Sequence, residues 1–186
     1  MLSNKRVNKT GWRPKTNLRL GLKKTYEYYK SLLNSDFALI DSGFMALLHR
    51  LFYFEPITKF SGAKFIRLFL NSSNFKRKNA LFLIDPSTIE SKKNKLFLEK
   101  RDINIDSNYQ YVAPFYDKKN IIDKQLIDKI NNLESKPDFI LINLGGGVQE
   151  RLGYHLKNNL NFSVGIICTG AAISFLTGSQ ARIPKI

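Results

Sequence analysis

Four groups of polar or small residues in this sequence stand directly after short apolar runs, and each has chemistry that a ligand can use. A carboxylate at the end of a buried strand can point into a cleft and accept a proton, because burial raises its pKa. A glycine turn lets backbone N–H groups approach a phosphate, and a helix that begins there adds positive potential. The four groups are Asp41, Asp85, the glycines 145–147, and Thr169 with Gly170.

Each of these residues also has a purely structural interpretation. Asp41 precedes Ser42 and is equally typical of an Asx turn or of a helix cap. The three glycines also suit a tight strand-to-helix turn, since they do not form the G-x-G-x-x-G pattern and no Lys follows as in a P-loop. Gln149 and Glu150 can bind sugar or ribose hydroxyls, although Glu is also favoured at a helix start.

The elements that must position these residues alternate between apolar runs and helical patterns. Short apolar runs predict buried strands, and apolar residues spaced three or four apart predict helices. This alternation predicts an α/β fold: a mostly parallel, Rossmann-like sheet with helices on both faces, whose ligands bind at the carboxyl edge. The predicted strands are 37–40, 80–84, 109–113, 138–144 and 162–167, and the predicted helices include 20–33, 44–54, 62–70 and 122–133.

Length and composition narrow the class of protein. The chain has 186 residues, 43% of them hydrophobic, which suits one domain with a sizeable core. A single Cys excludes an intramolecular disulfide framework and a Cys-cluster zinc site, and the two His residues lie far apart. No run of 18 apolar residues and no secretory signal is present. We expect a cytoplasmic protein with no bound metal and no cofactor.

The net charge of +15 is concentrated in two segments. Residues 1–24 contain eight basic residues and no acid, and residues 64–101 contain ten basic residues and three acids. Such segments attract phosphates of nucleic acid, anionic lipid headgroups or a lipid pyrophosphate, unless the Lys-rich composition reflects the genome alone. We expect a basic N-terminal arm at 1–16 and a single α/β domain at 17–186.

The order of motifs resembles the WecG/TagA/CpsF family of bacterial glycosyltransferases. The segment 138–184 is similar to that family's apolar strand, G-x-G-x-P-K-Q-E turn, second strand and R-A-P motif. Upstream, 35–43 is similar to its A-D-x-x-x-x-D-G motif, 57–68 to its R-x-x-G-x-D-L segment, and 111–116 to its G-Y-F region. The resemblance covers about residues 17–184.

The resemblance implies an inverting, metal-independent hexosyltransferase of cell-surface polysaccharide synthesis, acting at the inner face of the membrane. It implies transfer of a hexosamine-type sugar from a UDP-sugar to a polyprenyl-pyrophosphate-linked acceptor, with an anionic membrane surface and a homo-oligomer as further partners. Asp41 would be the general base. The implied substrate-binding residues are Asn17, Gly145, Gly146, Gln149, Glu150, Thr169, Gly170 and Arg182.

The sequence also departs from the family pattern. Gly147 and Val148 replace the family's Pro and Lys, Ser174 replaces an Asp, and Asp85 with Pro86 replaces a Gly-rich turn. The chain is short for the family, which indicates a shortened transferase, a remnant or a fragment. Two alternatives therefore stay open: a non-catalytic family member, and a basic nucleic-acid-binding module, although we expect nucleic acid not to be the partner.

Overall fold

A computed structural model describes residues 18–39, 41–72, 75, 77–116 and 121–179 of the chain. The predicted basic arm at 1–16 lies outside the described residues, as do Asn17 and Arg182. Among the described residues, no helix combines the length and the apolar character needed to cross a membrane.

Seven helices and four strands make up the described part of the chain. Three helices come first, and strands and helices then alternate, with a short 3₁₀ turn at Ser107–Tyr109. The helices are α1 (Leu18–Leu33), α2 (Gly43–Tyr53), α3 (Gly62–Ser72), α4 (Thr88–Glu99), α5 (Lys124–Asn131), α6 (Gln149–Asn159) and α7 (Ala172–Thr177). The strands are β1 (Leu81–Asp85), β2 (Gln110–Val112), β3 (Phe139–Ile142) and β4 (Gly165–Cys168).

The four strands form one sheet in the order β2-β1-β3-β4, and every neighbouring pair is parallel. This confirms the prediction of an α/β fold with a parallel, Rossmann-like sheet. Leu83 pairs with Leu141, and Leu141 pairs with Ile167, so the central strands align along their whole length. Because all four strands run the same way, their carboxyl ends lie at one edge of the sheet.

Apolar side chains explain why β1 and β3 occupy the centre. All five residues of β1 are buried, and so are the last three of β3. A continuous aliphatic strand of this kind needs cover on both faces of the sheet, and helices provide it. On one face, the ring of Phe139 packs 4.9 Å from that of Phe69 in α3. On the other face, Gly153 of α6 lies against the side chains of Ile142 and Ile166.

The helices divide between the faces as right-handed crossovers require. The connection from β1 to β2 runs in one direction along the sheet, and the connections through α5 and α6 run in the other. As a result α4 packs with α7, which in turn contacts α3, while α1 packs on α6 at the opposite face.

The predicted strand at 37–40 is wrong. Residues 37–39 are irregular and exposed, with 91% of Phe37 accessible to solvent, and Ile40 lies outside the described residues. An apolar run forms a strand only where a neighbouring strand offers hydrogen bonds, and the sheet of the described residues contains none for this segment. The predicted last strand, 162–167, begins later, at Gly165.

Gly165 generates a test of the packing between β3 and β4. A Cβ at this position would lie 2.6 Å from Cε1 of Phe139, whose ring is held between Phe69 and Phe75. We expect Gly165→Ala to lower the free energy of unfolding by about 1–3 kcal/mol, because the ring has no free space to enter. Gly43→Ala is the matched control, since its nearest neighbour is 4.0 Å away. Equal stability of the two variants in urea titrations would contradict this packing.

Candidate functional site

A chain of buried polar side chains connects the strand ends at the carboxyl edge. Asp85, the last residue of β1, accepts a hydrogen bond from Asn143 Nδ2 at 2.7 Å, directly after β3. Asn143 Oδ1 in turn accepts a hydrogen bond from the hydroxyl of Thr169, directly after β4. Thr169 donates its N–H to the carbonyl of Ile142 at 3.0 Å, and its single hydroxyl hydrogen is shared between Asn143 Oδ1 and this carbonyl, which lies 3.0 Å from the hydroxyl oxygen. The last residue of β1 and the first residues after β3 and β4 are therefore fixed relative to one another.

The glycine turn after β3 faces open space. A Cβ at Gly145, Gly146 or Gly147 would meet no protein atom within 4 Å, so the described residues leave room for a ligand there. Gly147 has φ +81°, a left-handed conformation that favours glycine. Its N–H donates to Glu150 Oε2 at 2.6 Å, which places the Glu150 carboxylate at the N-terminus of α6.

Gln149 ties the glycine turn to the turn after β4. Its buried side chain accepts a hydrogen bond from the N–H of Gly170 at 2.6 Å and donates to Glu150 Oε1 at 3.0 Å. Gly170 has φ +56°, and a Cβ there would lie 3.4 Å from Gln149 Nε2. The structure thus brings together six residues predicted at this site, and Gln149 and Glu150 contact protein groups within it.

Asp41 lies at the same edge, but not in the environment predicted from the sequence. Its side chain is exposed, and no described strand precedes it, so the burial expected for this carboxyl is wrong. Asp41 Oδ2 instead accepts a hydrogen bond from the N–H of Gly62 at 3.1 Å, at the start of α3. A Cβ on Gly62 would lie 3.3 Å from Cβ of Ala172, two residues after Gly170. This contact places Asp41 next to the turn after β4.

Positive potential at the glycine turn comes from two sources. The N-terminus of α6 lies there, with its backbone N–H groups and helix dipole. Arg151 donates from Nε to the carbonyl of Gly147 at 2.7 Å, and its guanidinium is 3.5 Å from Glu27 of α1. The Glu150 carboxylate on the Gly147 N–H and Glu27 beside Arg151 offset part of this potential. An anionic ligand at the turn would therefore compete with the Glu150 carboxylate for the helix terminus.

A tyrosine pair with a shared carboxylate lies in and directly after β2, in the region that resembles the family's G-Y-F motif. Tyr111 and Tyr116 both donate to Asp123 Oδ2, at 2.9 Å and 2.6 Å. Burial and the Asp123 carboxylate raise the pKa of Tyr111 to about 12 and raise that of Tyr116 further. Both phenols are therefore protonated donors at neutral pH. Burial also lowers the pKa of His155, whose Nε2 accepts from the Asp123 N–H at 3.4 Å.

Sequence reasoning missed the residues that hold the site together. Asn143, Asn94 and Gly62 were not candidates, although Asn143 ends the clearest apolar run of the chain and is the only polar residue in 139–144. That polarity is the signal that identifies it. Asn17 and Arg182, which were candidates, lie outside the described residues.

The link between the two turns generates a stability prediction. We expect Gln149→Met to lower the free energy of unfolding by about 1–2 kcal/mol, because the N–H of Gly170 loses its acceptor. Gln125→Met on exposed α5 is the matched control and should change little. Thermal or urea unfolding of both variants checks this, and a neutral Gln149→Met would show that the turns are held by other contacts.

Comparison with known proteins identifies the family of the chain. No curated protein matches the chain. A family model described as "Glycosyl transferase WecG/TagA/CpsF family" matches residues 14–186, which is nearly the whole sequence. The match includes all four parallel strands, the glycine turn and the turn at Thr169 and Gly170. The chain therefore belongs to the WecG/TagA/CpsF family of glycosyltransferases.

Proposed function

We propose that this protein transfers a hexosamine-type sugar from a UDP-sugar to a polyprenyl-pyrophosphate-linked acceptor in cell-surface polysaccharide synthesis, with inversion at the anomeric carbon. The observation that supports this most is the open glycine turn at the N-terminus of α6, held to the turn after β4 by Gln149. Family membership supports the reaction class.

The donor diphosphate would bind at the glycine turn. Apart from the adjoining residues of the turn, no atom of the described part of the chain lies within 4 Å of a Cβ built on Gly145 or Gly146, so phosphate oxygens can approach the backbone closely. The α6 terminus and Arg151 lie at the turn, where they would stabilise the charge that develops on departing UDP. Gln149, Glu150, Thr169 and Gly170 would shape the rest of the donor site. The family resemblance implies that no metal ion takes part.

Asp41 would act as the general base. In the proposed step, its carboxylate takes the proton of the acceptor hydroxyl, that oxygen forms a bond to the anomeric carbon, and the bond from this carbon to the UDP oxygen breaks. Attack from the face opposite UDP inverts the configuration. Asp41 is exposed to an incoming acceptor and lies beside the turn at Gly170, through Gly62 and Ala172. Asn17 and Arg182 would complete the site, by resemblance only.

An anionic membrane surface is the proposed location of the acceptor. Helix α2 begins two residues after Asp41, and its apolar residues Phe44, Leu47 and Leu51 are each more than 60% exposed. They recur at three- and four-residue spacing, as in a helix that lies in a membrane interface. Residues 42–72 contain four basic residues and one acid, which favours anionic headgroups. We propose peripheral attachment at the inner face of the membrane and, by resemblance, a homo-oligomer.

Asp41→Asn tests the catalytic role. The Asn amide oxygen can still accept the N–H of Gly62, so we expect folding and UDP affinity to remain close to those of the unaltered protein. Loss of the base should lower turnover by about 10²–10⁴-fold. The measurements are calorimetric UDP titration and product formation from UDP-hexosamines with a polyprenyl-pyrophosphate acceptor mimic.

Asp128→Asn is the control, since Asp128 is an exposed carboxylate of α5 outside the motifs of the site. Folded protein that binds no UDP would overturn the proposed donor. Full turnover by Asp41→Asn would overturn the role of the base and leave the donor site intact.

Membrane attachment is tested by Leu47→Ser combined with Leu51→Ser. We expect co-sedimentation with vesicles containing phosphatidylglycerol to weaken by at least about tenfold, since each leucine loses apolar burial. Ile122→Ser, also an exposed apolar residue, is the control. Equal vesicle binding by the unaltered protein and the double leucine variant would contradict this membrane surface. So would binding of the unaltered protein to phosphatidylcholine vesicles that equals its binding to phosphatidylglycerol vesicles.

A further inference from the structure

Asp85 is completely buried, with 0% of its surface accessible, and its two carboxyl oxygens differ sharply. Oδ1 accepts two hydrogen bonds, from Asn94 Nδ2 and Asn143 Nδ2, each at 2.7 Å. Oδ2 is buried without a hydrogen-bond partner among the described residues, and the same is true of Asn94 Oδ1. Two bare acceptors therefore lie on two side chains that already share one hydrogen bond.

A single proton satisfies both atoms. If Asp85 Oδ2 carries hydrogen, it becomes a donor, and the amide of Asn94 offers an acceptor beside the group that donates to Asp85 Oδ1. A carboxylic acid and an amide then form a closed pair with two hydrogen bonds. If Asp85 is ionised, Asp85 Oδ2 and Asn94 Oδ1 both stay buried without a hydrogen-bond donor. Native structures rarely tolerate two such atoms side by side.

The surroundings of Asp85 contain little positive charge. Strands β1 to β4 and helix α7 contain no basic residue, and Pro86 has no N–H to donate. On α4, Lys92 and Lys93 are exposed, and Lys95 lies 3.9 Å from Glu99. Lys64 and Arg67 on α3 are also exposed.

The effects on the Asp85 carboxyl oppose one another. Burial, the largest effect, raises its pKa, and the negative charge of Glu90 raises it further. The two hydrogen bonds that Oδ1 accepts from Asn143 and Asn94, and the polar hydroxyl of neighbouring Ser91, lower the pKa only in part. The net direction is upward.

We propose that Asp85 is a protonated carboxylic acid at neutral pH, paired with Asn94, and that it acts as a positioning residue. Through Asn143 it holds the hydroxyl of Thr169, and so the turn that presents Gly170 to Gln149. The state of the acid is independent of the reaction, whereas its consequence for donor binding rests on the proposed function. Asp85 would thus affect UDP binding only through the position of the turn at Thr169 and Gly170, without touching the ligand.

Infrared difference spectroscopy of the full chain tests the protonation state directly. We expect the spectrum of the unaltered protein minus that of Asp85→Asn, at pH 7, to contain the C=O stretch of a protonated carboxylic acid. Asp128→Asn, at an exposed residue of α5, should give a carboxylate band instead. A carboxylate band for Asp85 would overturn the proposal, whether or not the protein binds UDP.

The pH dependence of stability gives a second readout. A carboxyl whose folded pKa is raised binds more protons in the folded state, so the unaltered protein should lose stability as pH rises from the ordinary value of 3.8 towards the folded pKa. Asp85→Asn keeps the paired geometry and cannot ionise. The stability of the unaltered protein relative to this variant should therefore fall with rising pH. A constant or rising difference between about pH 4 and pH 8 would contradict the proposal.

The positioning role is tested by rescue. We expect Asp85→Asn to bind UDP within about twofold of the unaltered protein, because the amide reproduces both hydrogen bonds to Asn94. A folded Asp85→Leu variant should bind UDP at least about tenfold more weakly than the unaltered protein. If Asp85→Leu does not fold, the Asp85→Asn variant alone provides the test. Weak UDP binding by a folded Asp85→Asn would overturn the positioning role. Absence of UDP binding by the unaltered protein would overturn the proposed function and leave the spectroscopic result standing.

Discussion

The carboxyl edge of the sheet depends on the buried hydrogen bonds that join Asp85, Asn143 and Thr169. Parallel strands place their ends side by side, and backbone hydrogen bonds continue one residue beyond β3 and β4, from Asn143 N–H to Ile84 and from Thr169 N–H to Ile142. The side chains of Asp85, Asn143 and Thr169 add hydrogen bonds across the three strand ends and fix the turns laterally. Inside a protein such hydrogen bonds are strong, and a buried network in which some groups lack partners is costly. The side chains at this edge therefore have few alternative conformations.

The two ligand-facing turns follow from this constraint. Thr169 is fixed by the carbonyl of Ile142 and by Asn143, so Gly170 presents its N–H at one position, where Gln149 accepts it. Gln149 is the first residue of α6, and its placement sets where the glycine turn and the helix terminus lie. Asp41 reaches the same edge by a separate route, as the acceptor for the first N–H of α3. The proposed nucleotide-sugar site at this edge would therefore consist mainly of backbone groups that buried side chains hold in place.

The sequence predicts the sheet well where a strand is apolar throughout. Leu81–Asp85 and Phe139–Ile142 were identified because runs of this kind are stable only between two layers of helices. The run at 37–40 has the same composition, yet residues 37–39 are not a strand, since composition does not show whether a neighbouring strand is present. The glycine turns were found from strand ends alone. The contact of Asp41 with Gly62 spans 21 residues, and no local pattern predicts it.

The departures from the family pattern acquire physical meaning at this edge. Asp85 stands where the family has a Gly-rich turn, and the structure gives it partners in Asn94 and Asn143. The buried carboxyl at this position is therefore accompanied by amide side chains that hydrogen-bond to it. Gly147 stands where the family has Pro, and its φ of +81° is outside the range that proline adopts.

The central claim is that the donor nucleotide binds at the carboxyl edge, against the glycine turn. Titration of ¹⁵N-labelled protein with UDP, followed by amide chemical shifts, tests it most directly. The account predicts saturable shifts at Gly145, Gly146 and Gly170, with little change around the cavity of about 370 Å³ lined by Lys78, Asn104 and Asp106. Shifts confined to that cavity, or none at the three glycines at saturating UDP, would contradict the account.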